Sequence, residues 1–339
     1  MSVKTRIGAA ALVILLCAWV FVGINHREDV VRAFTGDKRP ADDIVVVEIA
    51  PEDVPEATSL SISSEIYSIP APVASGVKVN ANQKAVIDYS NAQDGYVMIR
   101  FLQKTDKHLC VLITGPSGVV YKCKLDQNGK WEVFPLSDGN GNYRIGVFEH
   151  AYENKYASVN SVAIDVTLKD EFAPFLRTNQ YVNYNKDSAA VAKAAELAKG
   201  SDGLNVKVSA VYNFTIENIS YDKAFAEEVK RGMHSWYVPD LDDVMERGKG
   251  ICFDYAALMT SMLRSLGIPT RLVIGYAGDV YHAWIDVYSH TDGWINNAIY
   301  FDGKTWNLMD PTYASTGKQS ADVMKYIGDG NNYAAKYYF

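Results

Sequence analysis

Three residues in the second half of the chain have the chemical types that nucleophilic catalysis requires. Cys252 follows the segment Gly248-Lys249-Gly250-Ile251, and small and apolar residues then recur at three- and four-residue intervals up to Leu266. That period is typical of a helix. Cys252 is therefore expected at a helix N-terminus, where unpaired N–H groups and the helix dipole favour a thiolate. A thiolate nucleophile needs a base and a group that orients the base, and the downstream candidates are His282 and Asp310.

Three acidic residues follow His282 closely enough to be considered as the group that orients its imidazole ring. Asp286 lies four residues along the same predicted strand, roughly 13 Å away at about 3.3 Å per residue, which is too far for contact. Asp302 stands in an Asp-Gly turn, where a local reason for an aspartate already exists. These arguments leave Asp310 as the predicted partner of His282.

Asp310 is expected at the end of a strand. We predict that Thr305–Met309 forms a strand antiparallel to a strand over Tyr281–Tyr288, which would place Asp310 beside His282. A carboxylate at that point would accept the imidazole Nδ1–H, fix the tautomer and stabilise the imidazolium.

Five short motifs resemble, in their order along the chain, those of the transglutaminase-like superfamily. The motifs are Gly248-Lys249-Gly250-Ile251-Cys252, Gly267-Ile268-Pro269-Thr270-Arg271, Gly275-Tyr276, His282-Ala283-Trp284 and Asp310-Pro311-Thr312. The resemblance covers about residues 175–315. It implies a papain-like α+β core, a catalytic triad of Cys252, His282 and Asp310, and amide chemistry through a thioester. It does not fix whether an amine or water accepts the acyl group.

The resemblance also implies a cleft for a protein or peptide substrate. We predict that Trp236, Tyr281 and Trp284 bind the substrate and that the Cys252 backbone N–H is one oxyanion donor. No Gln stands between Trp236 and Gly248 to supply the upstream side-chain donor that family members often have. We predict no cofactor. The alternative function is a non-catalytic surface module that binds peptide or glycan in the same cleft.

Length, composition and charge restrict the remaining possibilities. The 339 residues suffice for two domains, and 48% hydrophobic with 22% charged residues is ordinary for a globular protein. The net charge of −7 argues against nucleic acid as a partner. The loop from Asp138 to Asn142 partly matches a calcium-binding pattern, but Tyr143 stands where that pattern needs Gly. We therefore assign a hairpin turn there and no metal.

Residues 1–25 are predicted to be a signal anchor that forms a transmembrane helix. Lys4 and Arg6 precede an uninterrupted apolar run, Ile7–Ile24, which is just long enough to span a bilayer. We expect a single-pass protein of the cell membrane whose catalytic domain lies outside the cytoplasm. A cleaved signal peptide and a secreted product are the alternative, and a buried soluble helix is a third possibility. Residues 26–75, rich in acidic residues and prolines, are predicted to be a linker.

Residues 76–169 are predicted to form an all-β sandwich domain. Its predicted strands are Ala85–Tyr89, Tyr96–Leu102, Leu109–Thr114, Val119–Lys124, Trp131–Pro135, Tyr143–Phe148 and Val162–Leu168. Cys110 and Cys123 flank the segment Gly115–Gly118, whose proline favours a type I turn followed by a Gly bulge. That register pairs Cys123 with Val111, turns the two sulfurs to opposite faces and predicts no disulfide.

Residues 170–339 are predicted to form the transglutaminase-like α+β domain. Helices over Ser188–Lys199 and Val206–Asn218 are expected to precede the Cys252 helix. Asp254, in the first turn of that helix, is assigned a structural role because the helix dipole favours a carboxylate there. The tail, Ala314–Phe339, is predicted to pack as one short helix and a loose end.

Overall fold

The computed structural model describes residues 15–16, 71–296, 299–301, 306–308, 310–312, 315 and 332–339. Of the predicted signal anchor it describes only the backbone of Leu15–Leu16, which forms a two-residue strand. Most of the predicted linker and the Asp302-Gly303 turn lie outside the described residues. Within the described ranges, no helix combines the length and the apolar character needed to cross a bilayer.

The first part of the chain consists of two antiparallel sheets, which we call the β-region (residues 79–166). Its strands, with Leu15–Leu16 counted first, are β1 (Leu15–Leu16), β2 (Val79–Ala81), β3 (Ala85–Asp88), β4 (Tyr96–Phe101), β5 (Leu109–Thr114), β6 (Val120–Leu125), β7 (Glu132–Pro135), β8 (Gly141–Tyr152) and β9 (Lys155–Val166). One sheet has the order β2-β3-β4-β7 and the other β1-β9-β8-β5-β6. Ile87 and Ile99 of the first sheet are buried in the same cluster as Val111 and Ile145 of the second.

The hairpin of β5 and β6 has the register that the sequence predicts. Val111 pairs with Cys123. The turn closes with bonds from the Gly115 N–H to the Val119 carbonyl (3.1 Å) and from the Gly118 N–H to the Gly115 carbonyl (3.0 Å). Cys110 and Cys123 are not joined by a disulfide. Cys123 is fully buried, and burial raises the pKa of its thiol to about 12, so this thiol is inert as a nucleophile near neutral pH.

The second part of the chain mixes helices and strands. Its helices are α1 (Ala189–Ala198), α2 (Leu204–Asn218), α3 (Lys223–Lys230), α4 (Leu241–Arg247) and α5 (Cys252–Ser265). Its strands are β10 (Ser220–Tyr221), β11 (Lys249–Gly250), β12 (Thr270–Ala277), β13 (Val280–Ser289), β14 (Gly293–Ile295), β15 (Ile299–Phe301), β16 (Trp306–Leu308) and β17 (Tyr333–Tyr338). The main sheet has the order β14-β13-β12-β17, and β15 pairs with β16.

Helix α5 is the central element of this second part. Every residue of α5 from Phe253 to Ser265 is buried. Its one basic residue, Arg264, satisfies its guanidinium with three carbonyls, those of Thr270 (2.9 Å), Arg177 (2.6 Å) and Phe339 (2.6 Å). Burial lowers the pKa of Arg264 to about 10. A helix packed on all sides gives the residue at its N-terminus a fixed position.

Two predictions about the end of the chain are wrong. Tyr333–Tyr338 is a strand and not part of a loose end, because it pairs antiparallel with β12 at the edge of the main sheet. Strand β16, which includes part of the predicted Thr305–Met309 strand, pairs with β15, whereas the described neighbours of β13 are β12 and β14. Asp310 therefore reaches its position from the segment after β16 and not from a ladder with β13.

Candidate active site

The local fold around Cys252 depends on two glycines. Gly248 ends α4 in the left-handed conformation (φ 59°), which non-glycine residues adopt at a cost. Gly250 pairs with Tyr221 in the two-stranded parallel ladder of β10 and β11. A Cβ added to Gly250 would lie 2.6 Å from the Asp254 Cβ. Only a glycine therefore lets the chain pass this close to the first turn of α5 and present Cys252 as the first helical residue.

His282 lies on β13, directly opposite Gly275 of β12. The imidazole is 4% exposed. The Trp284 indole lies nearly parallel to it, with ring centroids 6.2 Å apart and an interplanar angle of 23°. Strand alternation accounts for this pair, because residues two apart on a strand point to the same face.

Asp310 is fully buried and accepts three hydrogen bonds. The His282 Nε2–H donates to Oδ2 at 2.5 Å and the Tyr333 hydroxyl to the same oxygen at 3.1 Å. The Thr312 N–H donates to Oδ1 at 2.9 Å. The prediction that Asp310 contacts His282 agrees with this geometry, but the predicted nitrogen is wrong, since Nε2 and not Nδ1 faces the carboxylate. Nδ1 is then the ring atom available to Cys252.

Asp286 does not orient His282 in this structure. It pairs in register with Arg271 across β12 and β13. Arg271 also lies over the Trp294 ring, with its guanidinium carbon 3.6 Å from the ring centroid. Asp286 is thus the cross-strand neighbour of a basic residue, whereas Asp310 is hydrogen-bonded to the imidazole.

The electrostatics of His282 combine opposing effects. Burial alone would lower the pKa of His282, because it disfavours the imidazolium. The charges of Asp310 and Cys252, together with hydrogen bonds to both side chains, outweigh that effect and raise the pKa of His282 well above its ordinary value. The arrangement therefore favours an imidazolium held between a carboxylate and the cysteine sulfur.

Asp254 has the structural position expected for it, and its environment is unusual for a carboxylate. It is fully buried and accepts hydrogen bonds from the Tyr237 hydroxyl (2.6 Å) and the Ile251 N–H (2.7 Å). Burial raises the pKa of Asp254 to about 6, although these two bonds act in the opposite direction.

The three predicted substrate-binding residues lie in different surroundings. Tyr281 is half-buried; burial raises its pKa, and the charges of Tyr337, Tyr276 and Cys252 contribute to that rise in decreasing order. Trp284 is 1% exposed and lies behind the imidazole. Trp236, with a positive φ of 68°, packs on Cys110 and other residues of the β-region. Substrate binding by all three stays a prediction.

Sequence reasoning missed three tyrosines around the site. Tyr333 holds Asp310 and Tyr237 holds Asp254. Burial raises the pKa of Tyr221, and the charges of Cys252 and Asp310 add to that rise, so this phenol lies near both. No motif marks these residues. The one available signal for Tyr221 was its place in the segment that pairs with Lys249-Gly250, and that pairing was not predicted.

A comparison with protein families identifies the part of the chain that contains Cys252, His282 and Asp310 as transglutaminase-like. Residues 191–311 match the model of the transglutaminase-like superfamily, so the chain contains a transglutaminase-like domain.

Several known proteins are similar over larger parts of the chain. The uncharacterised protein YebA of Bacillus subtilis (strain 168) is 24% identical over 195 residues, which are 50% of this chain and 26% of YebA. This chain thus spans about a quarter of that relative. A crystal structure from Cytophaga hutchinsonii, of a protein proposed to be a cysteine protease, is 15% identical with a TM-score of 0.36, over 78% of this chain and 74% of that one. A TGase crystal structure is 20% identical with a TM-score of 0.28, over 53% and 48% of the two chains.

Proposed function

We propose that the protein is a cysteine-dependent enzyme that acts on peptide or protein amides through a thioester. The observation that carries the proposal is the position of His282, bonded to Asp310 through Nε2 and influenced by Cys252 through both charge and a hydrogen bond. A nucleophile, a base and a group that orients the base are the three parts that this chemistry needs.

The proposed reaction has two stages. The Cys252 thiolate attacks the amide carbonyl carbon, and the His282 imidazolium donates its Nδ1 proton to the leaving amine as the C–N bond breaks. Water or a second amine then attacks the thioester, His282 takes its proton, and the thiolate leaves. The Cys252 N–H, which as the first amide of α5 has no partner within the helix, would stabilise the oxyanion in both stages.

A thiol-directed probe tests the enzyme proposal. Cys252 should react with iodoacetamide at neutral pH faster than a free thiol, and Cys252→Ala should abolish that labelling, as intact-mass spectrometry can measure. An amine-incorporation assay beside a peptide-hydrolysis assay then separates acyl transfer from hydrolysis. A Cys252 that reacts no faster than a free thiol would favour the alternative, a module that binds peptide or glycan in the same cleft.

We further propose that the enzyme works outside the cytoplasm, with residues 1–25 as a membrane anchor, residues 26–75 as a linker and the β-region as a sandwich-type spacer between linker and catalytic domain (residues 170–339). The support is the apolar run Ile7–Ile24 behind two basic residues. Membrane fractionation of the whole chain and of a variant that lacks residues 1–25 tests the anchor. Both forms in the soluble fraction would refute it.

A further inference from the structure

The carboxylate nearest to the nucleophile along the chain is one that the proposed reaction does not use. Asp254 lies two residues after Cys252, is fully buried and accepts two hydrogen bonds from two different segments. Burying a carboxylate costs free energy unless hydrogen bonds compensate it. Because the buried carboxylate costs free energy, we looked for a role of Asp254 that a neutral apolar side chain could not perform.

The first of the two bonds fixes the peptide that precedes the nucleophile. Ile251 is the N-cap of α5, with extended backbone angles, and its side chain makes no capping bond. The Ile251 N–H is instead bound by the Asp254 carboxylate at 2.7 Å, which is the backward half of a capping box. This bond limits rotation about the N-cap residue, and therefore sets the direction of the next N–H, that of Cys252.

The second bond holds the carboxylate itself. The Tyr237 hydroxyl donates to Asp254 at 2.6 Å, and the Tyr237 ring packs edge-on against Phe225 at 4.9 Å between centroids. The neighbouring residue, Trp236, has a left-handed φ of 68° and lies against the β-region, where the Lys122 ammonium is 4.9 Å from its ring centroid. The contact of Tyr237 with Phe225 and the contact of Trp236 with the β-region thus hold this segment in place. The Tyr237 hydroxyl therefore restrains the orientation of the Asp254 carboxylate.

We propose that Asp254 is a positioning residue, which, held by Tyr237, aims the Cys252 N–H at the oxyanion of the acyl-transfer step. The inference rests on the proposed function, because an oxyanion forms only if Cys252 attacks a carbonyl. Asp254 itself touches neither substrate nor His282 in this scheme. Its effect should appear in reactions that pass through a tetrahedral intermediate and not in simple alkylation of the thiol.

Two small probes separate these reactions on the intact protein. Acetylation by p-nitrophenyl acetate forms an S–C bond to Cys252 through a tetrahedral oxyanion and releases p-nitrophenolate, which absorbance follows. Alkylation by iodoacetamide displaces iodide directly and needs no oxyanion donor. Asp254→Ala is expected to slow acetylation by about 10- to 100-fold, the size expected for misplacement of a catalytic group by about 1 Å, while alkylation changes little.

Three further variants make the test decisive. Asp254→Asn should restore most of the acetylation rate, because the amide oxygen can accept from Ile251 and the amide N–H can donate to the Tyr237 oxygen. Tyr237→Phe should lower acetylation less than Asp254→Ala, and it tests the proposal independently if Asp254→Ala does not fold. Asp138→Ala is the matched control, since Asp138 likewise accepts from a backbone N–H and a hydroxyl, both of Ser117, but in the β-region.

The outcomes are distinguishable. The proposal is overturned if Asp254→Ala acetylates at the wild-type rate, if acetylation and alkylation fall equally, if Asp254→Asn is as impaired as Asp254→Ala, or if Asp138→Ala shows the same selective loss. A wild-type Cys252 that neither alkylates rapidly nor acetylates would instead refute the proposed function, whatever the variants do.

Discussion

Replacing Asp310 by asparagine is expected to leave the fold intact and to remove most of the activity. The amide oxygen of the new side chain can keep the bond from the Thr312 N–H, and the Tyr333 hydroxyl can turn to accept from the amide nitrogen. That nitrogen then replaces the oxygen that faces His282 Nε2. Because the amide nitrogen donates, Nε2 must present its lone pair and the ring proton moves to Nδ1. An imidazole protonated at Nδ1 cannot take the proton of Cys252.

The structure also allows the opposite amide orientation, and its cost can be bounded. If the oxygen faced His282, the amide N–H₂ would face the Thr312 N–H, and a buried donor left without an acceptor costs about 1–3 kcal/mol. In either orientation the negative charge that raises the pKa of His282 is lost. In a Ser-His-Asp enzyme the same change lowers kcat by about 10⁴-fold. We expect a loss of about 10³- to 10⁴-fold, equivalent to about 4–5.5 kcal/mol.

Asp286→Asn is the matched control, because it replaces another buried carboxylate, on the strand that carries His282, with an amide. The rate of Cys252 acetylation and, where a substrate is found, kcat should be measured for both variants, with urea unfolding to compare stability. Asp310→Asn should lose the rate while retaining most of the free energy of unfolding. An Asp310→Asn variant with a wild-type rate, or an equal loss in Asp286→Asn, would remove Asp310 from the site.

Three further variants follow from the same contacts. Tyr333→Phe removes one donor from Asp310 and should lower kcat/KM about tenfold, as expected for one hydrogen bond to a charged group; an unchanged value would make this bond incidental. Asp254→Asn should raise the free energy of unfolding at pH 8 by on the order of 1–3 kcal/mol and change it little at pH 4. The direction of the effect follows because burial raises the pKa of Asp254 in the folded protein to about 6. The folded protein is therefore most stable with a protonated Asp254 and loses stability as pH rises through that value, whereas Asn stays neutral. Urea unfolding at both pH values measures the difference. Tyr281→Ala should raise KM with little change in kcat, and a fall in kcat at constant KM would contradict a role in substrate binding.

The sequence predicted those features that local patterns encode. The strands of the β-region, the helical period after Cys252 and the turn between β5 and β6 each depend on residues close in sequence. The order of Cys252, His282 and Asp310 was informative because the short motifs that contain them follow the order seen in the transglutaminase-like superfamily. The wrong partner for β16 arose because a pairing of predicted strands was assumed where the chain makes a separate two-stranded ladder. The wrong ring nitrogen came from the geometry of Ser-His-Asp enzymes, in which Nδ1 faces the carboxylate.

The parts that the sequence did not reveal depend on contacts between distant residues. Tyr237 and Asp254 are 17 residues apart, and Tyr333 and Asp310 are 23 apart. A single contact between a hydroxyl and a carboxylate leaves no repeating pattern in the sequence. Tyrosine is also common in this chain, with 22 residues, so its presence alone does not mark a site. Strand β17 was missed for a related reason. As an edge strand whose Ala334, Ala335 and Lys336 are exposed, it lacks the alternation that marks a half-buried strand.

The segment that matches the superfamily model ends at residue 311, yet two of the hydrogen bonds that hold Asp310 come from residues beyond it. A buried polar group needs hydrogen-bond partners, and the Thr312 N–H and the Tyr333 hydroxyl are two of the donors to Asp310. Tyr333 is held in place because β17 pairs with β12, and the strand is followed by Phe339, whose ring packs edge-on against Tyr121 of the β-region at 5.5 Å. The position of Asp310 is thus linked, through the single edge strand β17, to the contact between the two parts of the chain.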